Sequence, residues 1–304
     1  MEKLEQDLSL RAKILRQVIR MATSDRLLGP KIQDGTFRKN VVEPAWHCPK
    51  GYSLLSVKDK TAKLEILTPP EMESEMVVLQ LHGGGYIGEM KNIYRTFARE
   101  YSDMRGGMKV CSVDYRVAPK HPYPAALKDA CLGYEFLLKL GYEPQQMIVA
   151  GDSAGGGLAL AMCAYLRDKG RPLPRGLVLM SPWTDLTASG DSYQENYERD
   201  PLFGNTRDSM IYRGEYPGRE NPENPYISPK FADYAGFPEM LFQVGSIEML
   251  LSDTTDVVEK ARDAGCQVQL TVYEGMFHEF QQALDRMPES RDAWEEVRTF
   301  VGKL

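Results

Sequence analysis

The sequence predicts an α/β fold with one mostly parallel β-sheet and helices packed on it. Strand-like runs of aliphatic residues alternate with helix-like segments along most of the chain, which is the pattern of a doubly wound sheet. The pentapeptide Gly-Asp-Ser-Ala-Gly at 151–155 separates an apolar run from a helix-like segment, as a tight strand-to-helix turn requires. Open sheets of about this length commonly form one domain, so we expect a single domain over residues 1–304.

The elements follow one another in an order that suits this fold. The spacing of Leu8, Ala12, Leu15 and Ile19 predicts an opening amphipathic helix, and the breakers at 29–35 predict a loop after it. The first two strands open as a hairpin, and the later strands alternate with helices. Strands are expected at 52–57, 63–67, 76–81, 109–113, 147–150, 177–180, 240–244 and 268–273. Helices are expected at 93–101, 123–140, 154–169, 254–264 and 289–301.

Composition and charge indicate a globular protein without a nucleic-acid partner. The chain is 42% hydrophobic and 26% charged, with a net charge of −6. Residues 1–40 carry about +4, which we interpret as a solvated helix face in preference to an arm on a membrane. Because no signal core or membrane-length apolar run is evident, we expect a cytoplasmic protein without stable membrane insertion. The five scattered cysteines are typical of reduced thiols and predict no metal site.

Ser153 is the candidate nucleophile. Small residues two positions to either side, Gly151 and Gly155, allow the backbone to come close at a strained turn. Such a turn holds the serine hydroxyl above the sheet, within reach of a base and a substrate. The pattern therefore predicts a serine hydrolase site at the end of the strand that precedes Ser153.

The loop His82-Gly83-Gly84-Gly85 is the candidate oxyanion site, because glycines can turn backbone N–H groups toward a developing negative charge. We expect the donors to be the N–H groups of Gly83, Gly84 and Ala154, the last at the positive end of a helix. His82 is expected to order this loop. Asp152 is expected to hydrogen-bond to the loop, since its side chain diverges from that of Ser153.

His278 is the candidate general base. The chain has four histidines, and only His278 stands just after the last strand-like run and before the last helix-like segment. This position follows the order serine, acid, histidine that the hydrolase turn implies. His47 precedes the sheet, and His121 lies in a proline-rich turn before the nucleophile.

The glycine loop, the Gly-Asp-Ser-Ala-Gly turn, the run Asp-Tyr-Arg-Val-Ala-Pro at 114–119 and the run Ser-Pro-Trp-Thr-Asp at 181–185 resemble the motifs of the hormone-sensitive-lipase-like esterases. This resemblance covers roughly residues 50–304 and implies the α/β-hydrolase fold with eight strands. It also implies a helical cap, for which the segments are about 1–45 and about 187–225. The second segment belongs to a strandless connection over 187–233, too long for a simple turn.

The third member of the catalytic triad departs from the family pattern. The family usually has Asp-Pro-Leu after the penultimate strand, whereas this chain has Glu248 where the aspartate is expected. A glutamate can also accept the imidazole N–H and fix its tautomer. Asp253 is the rival, but Ser252 and Asp253 are also typical of helix N-caps. We therefore expect Glu248 to be the acid.

The resemblance implies a carboxylesterase that acts on small esters, with a preference for short acyl chains by analogy with many family members, and requires no metal or organic cofactor. Amide hydrolysis or deacetylation on the same site, acyl transfer to another acceptor, and ligand binding by a non-catalytic hydrolase pocket stay open. The presence of Ser153 and His278 favours an enzyme. A serine at 153 excludes hydrolases with an aspartate nucleophile. The final strand and helix allow a homodimer.

Overall fold

One sheet of eight strands runs through the molecule. The computed structural model describes residues 8–24, 43–204 and 214–304; the predicted loop at 29–35 and parts of both expected cap segments lie outside these residues. The strands are β1 (Ser53–Asp59), β2 (Ala62–Thr68), β3 (Val77–Leu81), β4 (Lys109–Asp114), β5 (Met147–Asp152), β6 (Gly176–Met180), β7 (Glu239–Gly245) and β8 (Val268–Tyr273). Their spatial order is β1-β2-β4-β3-β5-β6-β7-β8.

The sheet is mostly parallel, as expected. Only β2 pairs antiparallel with its neighbours, β1 and β4, and the other neighbours are parallel. Every residue of the central strands β3, β5 and β6 is buried, which explains why they are continuous apolar runs with little alternation. The edge strands β1 and β8 mix exposed and half-buried residues. The predicted eight-stranded α/β-hydrolase fold is confirmed.

Helices cover both faces of the sheet. They are α1 (Leu10–Ala22), α2 (Asn92–Ser102), α3 (Ala125–Lys139), α4 (Ala154–Asp168), α5 (Ser192–Glu195), α6 (Leu251–Asp263) and α7 (Pro288–Lys303). Apolar residues of α3, α4 and α6 pack on one face and those of α2 and α7 on the other. On the second face, Phe97 meets Trp294 edge to face, with ring centroids 4.9 Å apart. None of these described helices is long and apolar enough to cross a bilayer.

One predicted boundary is wrong in a way that matters for the site. Helix α6 begins at Leu251, three residues before the expected start, so Ser252 and Asp253 lie inside its first turn. Its N-cap residue is Leu250, whose apolar side chain cannot form a cap hydrogen bond. No polar residue therefore marks the start of α6 in the sequence. The expected capping role of Ser252 and Asp253 is not what these side chains do.

Candidate active site

Ser153 stands at the sharp turn between β5 and α4. Its backbone angles are φ 49° and ψ −121°, a strained conformation for a residue with a side chain. A Cβ at Gly155 would lie 2.5 Å from the carbonyl oxygen of His82, and one at Gly151 would collide with the Gly155 carbonyl. The flanking glycines therefore let three backbone segments meet at the turn, which places the glycine loop directly against the start of α4.

Ser153, His278 and Glu248 form one hydrogen-bonded chain. Ser153 Oγ lies 2.9 Å from His278 Nε2, and His278 Nδ1 lies 2.9 Å from Glu248 Oε2. All three residues are buried, with Ser153 5% exposed and His278 4% exposed. With its Nδ1–H donating to the carboxylate, the ring presents Nε2 as an acceptor for the serine hydroxyl, which is the tautomer that a general base requires.

The second oxygen of Glu248 is held by two donors from neighbouring strands. Glu248 Oε1 accepts from the Ser181 hydroxyl at 2.8 Å and from the Gly245 N–H at 2.6 Å. The Asn196 side-chain amide donates to the Glu248 backbone carbonyl at 2.8 Å. The carboxylate thus accepts three hydrogen bonds, which fix its direction toward His278.

The structure does not bring Asp253 to His278. Its Oδ2 accepts the backbone N–H groups of Thr184 at 2.7 Å and Asp185 at 2.8 Å, so it anchors the loop after β6. Burial, followed by the nearby charge of Asp185, raises the pKa of the Asp253 carboxyl well above its usual range. Asp253 therefore does not cap helix α6, contrary to the prediction from the sequence. Its carboxyl group anchors the loop after β6 instead.

The glycine loop presents free backbone donors beside the turn. Gly84 and Gly85 have φ angles of 109° and 62°, which side-chain-bearing residues rarely adopt. Within the described residues, the N–H groups of Gly83 and Gly84 donate to no other backbone carbonyl. The N–H of Ala154 is among the first of α4 and has no partner within its helix.

His82 supports this loop from beneath. Its Nδ1 lies 2.7 Å from the Gly83 carbonyl oxygen, and its ring stacks on Tyr115 with centroids 4.0 Å apart. The Tyr115 hydroxyl in turn donates to the His82 carbonyl at 2.6 Å. Burial lowers the pKa of His82, which keeps the ring neutral in this stack. These contacts join the ring of His82 and the loop backbone to Tyr115.

Asp152 lies against the glycine loop and accepts a hydrogen bond from Tyr94. The Tyr94 hydroxyl donates to Asp152 Oδ2 at 3.0 Å. A Cβ at Gly83 would stand 2.6 Å from the same oxygen. Asp152 therefore supports the loop by packing under Gly83, where the sequence predicted a hydrogen bond.

A cavity of about 530 Å³ opens beside His278. Most of its wall comes from the chain around the base, residues 277–287, while α1 and the long connection supply the rest. Ring contact also links the connection to the triad, since Phe203 and His278 have centroids 4.7 Å apart. The residues lining the cavity are Arg11, Leu15, Ile19, Leu202, Phe277, His278, Glu279, Phe280, Gln282, Ala283, Arg286 and Met287.

Three residues were not predicted from the sequence, although they contact Ser153, His278 or Glu248 or the segments that hold them. Ser181 was visible only as part of a motif, although its place at the end of β6, between the strands of Ser153 and Glu248, was a usable signal. Asp200 accepts the N–H of Met249 at 2.8 Å, and burial raises the pKa of its carboxyl. Glu279 follows the base directly, but nothing in the pattern showed that its carboxyl turns inward.

Comparison with known proteins identifies the family of this chain. Residues 78–282 match the family described as the alpha/beta hydrolase fold. The chain is 36% identical over 232 residues to an acetyl-hydrolase of Streptomyces hygroscopicus, covering 76% of this chain and 77% of that one. It is 34% identical over 234 residues to an esterase of Acinetobacter venetianus, covering 77% of each. A crystal structure of an esterase from the bacterial hormone-sensitive lipase family superposes with a TM-score of 0.84 at 31% identity, covering 97% of this chain and 98% of that one.

Proposed function

The chain belongs to the hormone-sensitive-lipase-like esterases of the α/β-hydrolase family, and from this premise we propose that it hydrolyses small esters of short acyl chain through an acyl-enzyme on Ser153. It is a carboxylic-ester hydrolase. The observation that supports an acyl-enzyme on Ser153 is the hydrogen-bonded chain from Ser153 through His278 to Glu248.

His278 moves the proton in each half of the reaction. As Ser153 Oγ attacks the ester carbonyl, Nε2 takes the hydroxyl proton, and Glu248 stabilises the imidazolium that results. The imidazolium then gives this proton to the leaving alkoxide, so that an alcohol departs and the acyl group stays on Ser153. Water repeats the sequence: His278 takes its proton, the hydroxide adds to the acyl carbonyl, and the carboxylic acid leaves as Ser153 recovers its proton.

The oxyanion formed in both halves is stabilised by the N–H groups of Gly83, Gly84 and Ala154. Support comes from the free donors of the glycine loop and from its contact with the first turn of α4 through Gly155. Donors fixed by the backbone do not reorganise when the charge develops, and each typically contributes about 3–4 kcal/mol to the transition state.

The short-chain preference is supported by the relatives, and the cavity beside His278 suits the substrate's aliphatic part. Its volume of about 530 Å³ is within the usual range for small-molecule pockets. Apolar side chains such as Leu15, Ile19 and Met287 suit an aliphatic group. The acetyl-hydrolase among the relatives is named for the smallest common acyl group.

A series of p-nitrophenyl esters from acetate to palmitate tests the proposal. We expect the highest kcat/KM among the shortest chains and a steep fall for long ones, by analogy with the relative named acetyl-hydrolase. Ser153→Ala should lose turnover by a factor on the order of a million while remaining folded. A phosphonate probe should label the parent and leave this variant unlabelled.

Other outcomes of the same series would replace the proposal. Cleavage of p-nitroanilides at a higher kcat/KM than the matching esters would make the protein an amidase. Saturable binding of esters without release of p-nitrophenol would make it a binding protein with a hydrolase pocket. Equal kcat/KM for acetate and palmitate would contradict the chain-length preference alone.

The cap proposal assigns about 1–45 and about 187–225 to the cover of the site. Leu15 and Ile19 of α1, and Leu202 of the connection, line the cavity beside His278. Ile19→Trp should make kcat/KM fall more steeply with acyl chain length, since a larger side chain fills part of the cavity. Val18→Trp is the matched control, because Val18 is 54% exposed on the outer face of the same helix. Equal chain-length profiles for both variants would remove α1 from the pocket.

A cytoplasmic location and a homodimer complete the proposal. The five cysteines are free, and two of them, Cys111 and Cys163, are buried, which suits a reducing compartment. Strand β8 ends the sheet and leaves Val272 40% exposed, so a second copy could pair there. Cell fractionation checks the location, and light scattering that gives the mass of one chain would contradict the dimer.

A further inference from the structure

Glu279 is a second glutamate beside the catalytic base; unlike the fully buried Glu248 it is half-buried, and its surroundings differ from those of Glu248. Its backbone lies in the left-handed region, with φ 55° and ψ 34°, and directs the side chain back toward the glycine loop. Oε2 accepts from the Gln282 amide at 2.6 Å. Oε1 is buried and accepts no hydrogen bond from any described donor. Although Glu279 precedes a short 3₁₀ helix (Phe280–Arg286), its side chain forms no cap hydrogen bond there.

The buried oxygen faces another acid. A Cβ at Gly83 would stand 2.6 Å from Asp152 Oδ2 and would also collide with Glu279 Oε1, so both carboxyl groups press on the same side of Gly83. Asp152 Oδ2 and Glu279 Oε1 therefore lie within about 5 Å of each other, and a hydrogen bond to Asp152 is among the causes that raise the pKa of Glu279. Two ionised carboxylates cannot lie side by side in a buried site without a proton or a cation between them.

Within the described residues, the two arginines that line the cavity with Glu279, Arg11 and Arg286, form no ion pair with it, and Arg11 donates to the Arg286 carbonyl instead. The ionisable groups that act on Glu279 are Asp152 and Glu248, both acids. Burial raises the pKa values of Tyr94 and Tyr115 and lowers that of His82, so all three are neutral near pH 7. His278 is already bonded through both ring nitrogens.

We propose that Glu279 is a positioning residue that works as a neutral carboxylic acid and shares its proton with the Asp152 carboxylate. The O–H of Glu279 donates to Asp152, and the joined pair forms a rigid support under Gly83, one of the oxyanion donors. This role rests on the proposed ester hydrolysis at Ser153. It differs from that of Glu248, which acts in its charged form on His278.

The sign of the pH dependence follows from the shared proton. Desolvation, then the charge of Asp152 and the hydrogen bond to it, raises the pKa of Glu279 well above its usual range. Below that pKa the pair has one negative charge and one hydrogen bond. Above it, two negative charges repel each other beside the oxyanion site, so turnover and stability both fall as the pH rises through the Glu279 pKa.

Glu279→Gln tests the proposal, because the amide keeps a donor for Asp152 and cannot ionise. We expect its kcat/KM to stay within about threefold of the parent at pH 7 and to lack the decline that the parent shows as the pH rises through the Glu279 pKa. Glu279→Ala should lower kcat at every pH by about tenfold with little change in KM, since the donor is gone. Glu274→Gln is the control: Glu274 is an exposed acid in the same loop, bonded to Ser246, and its variant should keep the parent's profile.

Two measurements are independent of turnover. The melting temperature of the parent should fall more than that of Glu279→Gln as the pH rises above the ordinary glutamic acid pKa of about 4.3, and the infrared band of a protonated carboxylic acid should be absent from the variant. Melting temperatures with the same pH dependence in the parent and Glu279→Gln, or the same infrared band in both, would overturn the proposal. If no ester is turned over at any pH, the proposed function fails, and the melting and infrared comparisons still decide whether the proton is shared.

Discussion

The two halves of the site are built in different ways. Around Ser153, the backbone does the positioning: Gly151 and Gly155 allow a close approach, and Gly84 takes a φ of 109°. Around Glu248, side-chain hydrogen bonds do the positioning. They come from Ser181 and Asn196, which are both distant from Glu248 in sequence. We therefore expect added atoms to damage the half of the site around Ser153. The loss of a donor or a charge should damage the half around Glu248.

Glu248→Gln is expected to have the largest effect on the second half. The amide presents an N–H where the imidazole needs an acceptor, so the ring turns to the wrong tautomer, and kcat should fall by about four orders of magnitude. Stability should change little, because the amide oxygen can still accept from Ser181 and Gly245. Glu248→Asp should retain part of the activity. Turnover of Glu248→Gln within tenfold of the parent would show that Glu248 does not orient His278.

Gly84→Ala tests whether the first half depends on backbone shape. The added methyl would lie 3.3 Å from Gly88 and would be strained at a positive φ, so the loop should shift and kcat should fall on the order of a hundredfold or more. Gly141→Ala is the matched control, with a φ of 92° and no atom within 4 Å of the new methyl. It should cost about 1 kcal/mol of stability and no activity. Equal kcat values in Gly84→Ala and Gly141→Ala would contradict the dependence of the half around Ser153 on backbone shape.

Ser181→Ala should have a smaller effect on the same acid that Glu248→Gln removes. It deletes one of the two donors to Glu248 Oε1 and leaves the Gly245 N–H in place, so we expect kcat to fall about tenfold with KM unchanged. Ser246→Ala removes a hydroxyl bonded to the exposed Glu274 and serves as the control. Steady-state kinetics of both variants on one short-chain ester would decide, and equal losses would assign the effect to the loop as a whole.

These two styles of construction also explain what the sequence could predict. The turn at Ser153 and the glycine loop require small residues at fixed local spacing, so the backbone-built half is visible in the amino-acid pattern, as is the alternation that predicts the sheet. Ser181 lies 67 residues from Glu248, and the inward turn of Glu279 depends on where Asp152 ends β5. Such contacts exist only after folding. The early start of α6 was missed because Leu250 gives no capping signal.

Substitutions of Asp253 are expected to have the smallest effect on activity. They distinguish a loss of stability from a loss of turnover. Its Oδ2 accepts two buried N–H groups, those of Thr184 and Asp185, and it makes no contact with His278. Asp253→Ala leaves both donors unsatisfied and should lower the free energy of unfolding by about 2–4 kcal/mol. Asp253→Asn keeps an acceptor oxygen and should lower it by about 1 kcal/mol.

Urea unfolding measures these losses, and kcat of the folded fraction should stay within about threefold of the parent for both Asp253 variants. This is the reverse of the result expected for Glu248→Gln, in which turnover is lost and stability is kept. Because both acids are fully buried and only five residues apart in sequence, burial alone cannot account for such opposite results. If Asp253→Asn abolished turnover in a folded protein while Glu248→Gln did not, the acid that orients His278 would have to be reassigned to Asp253.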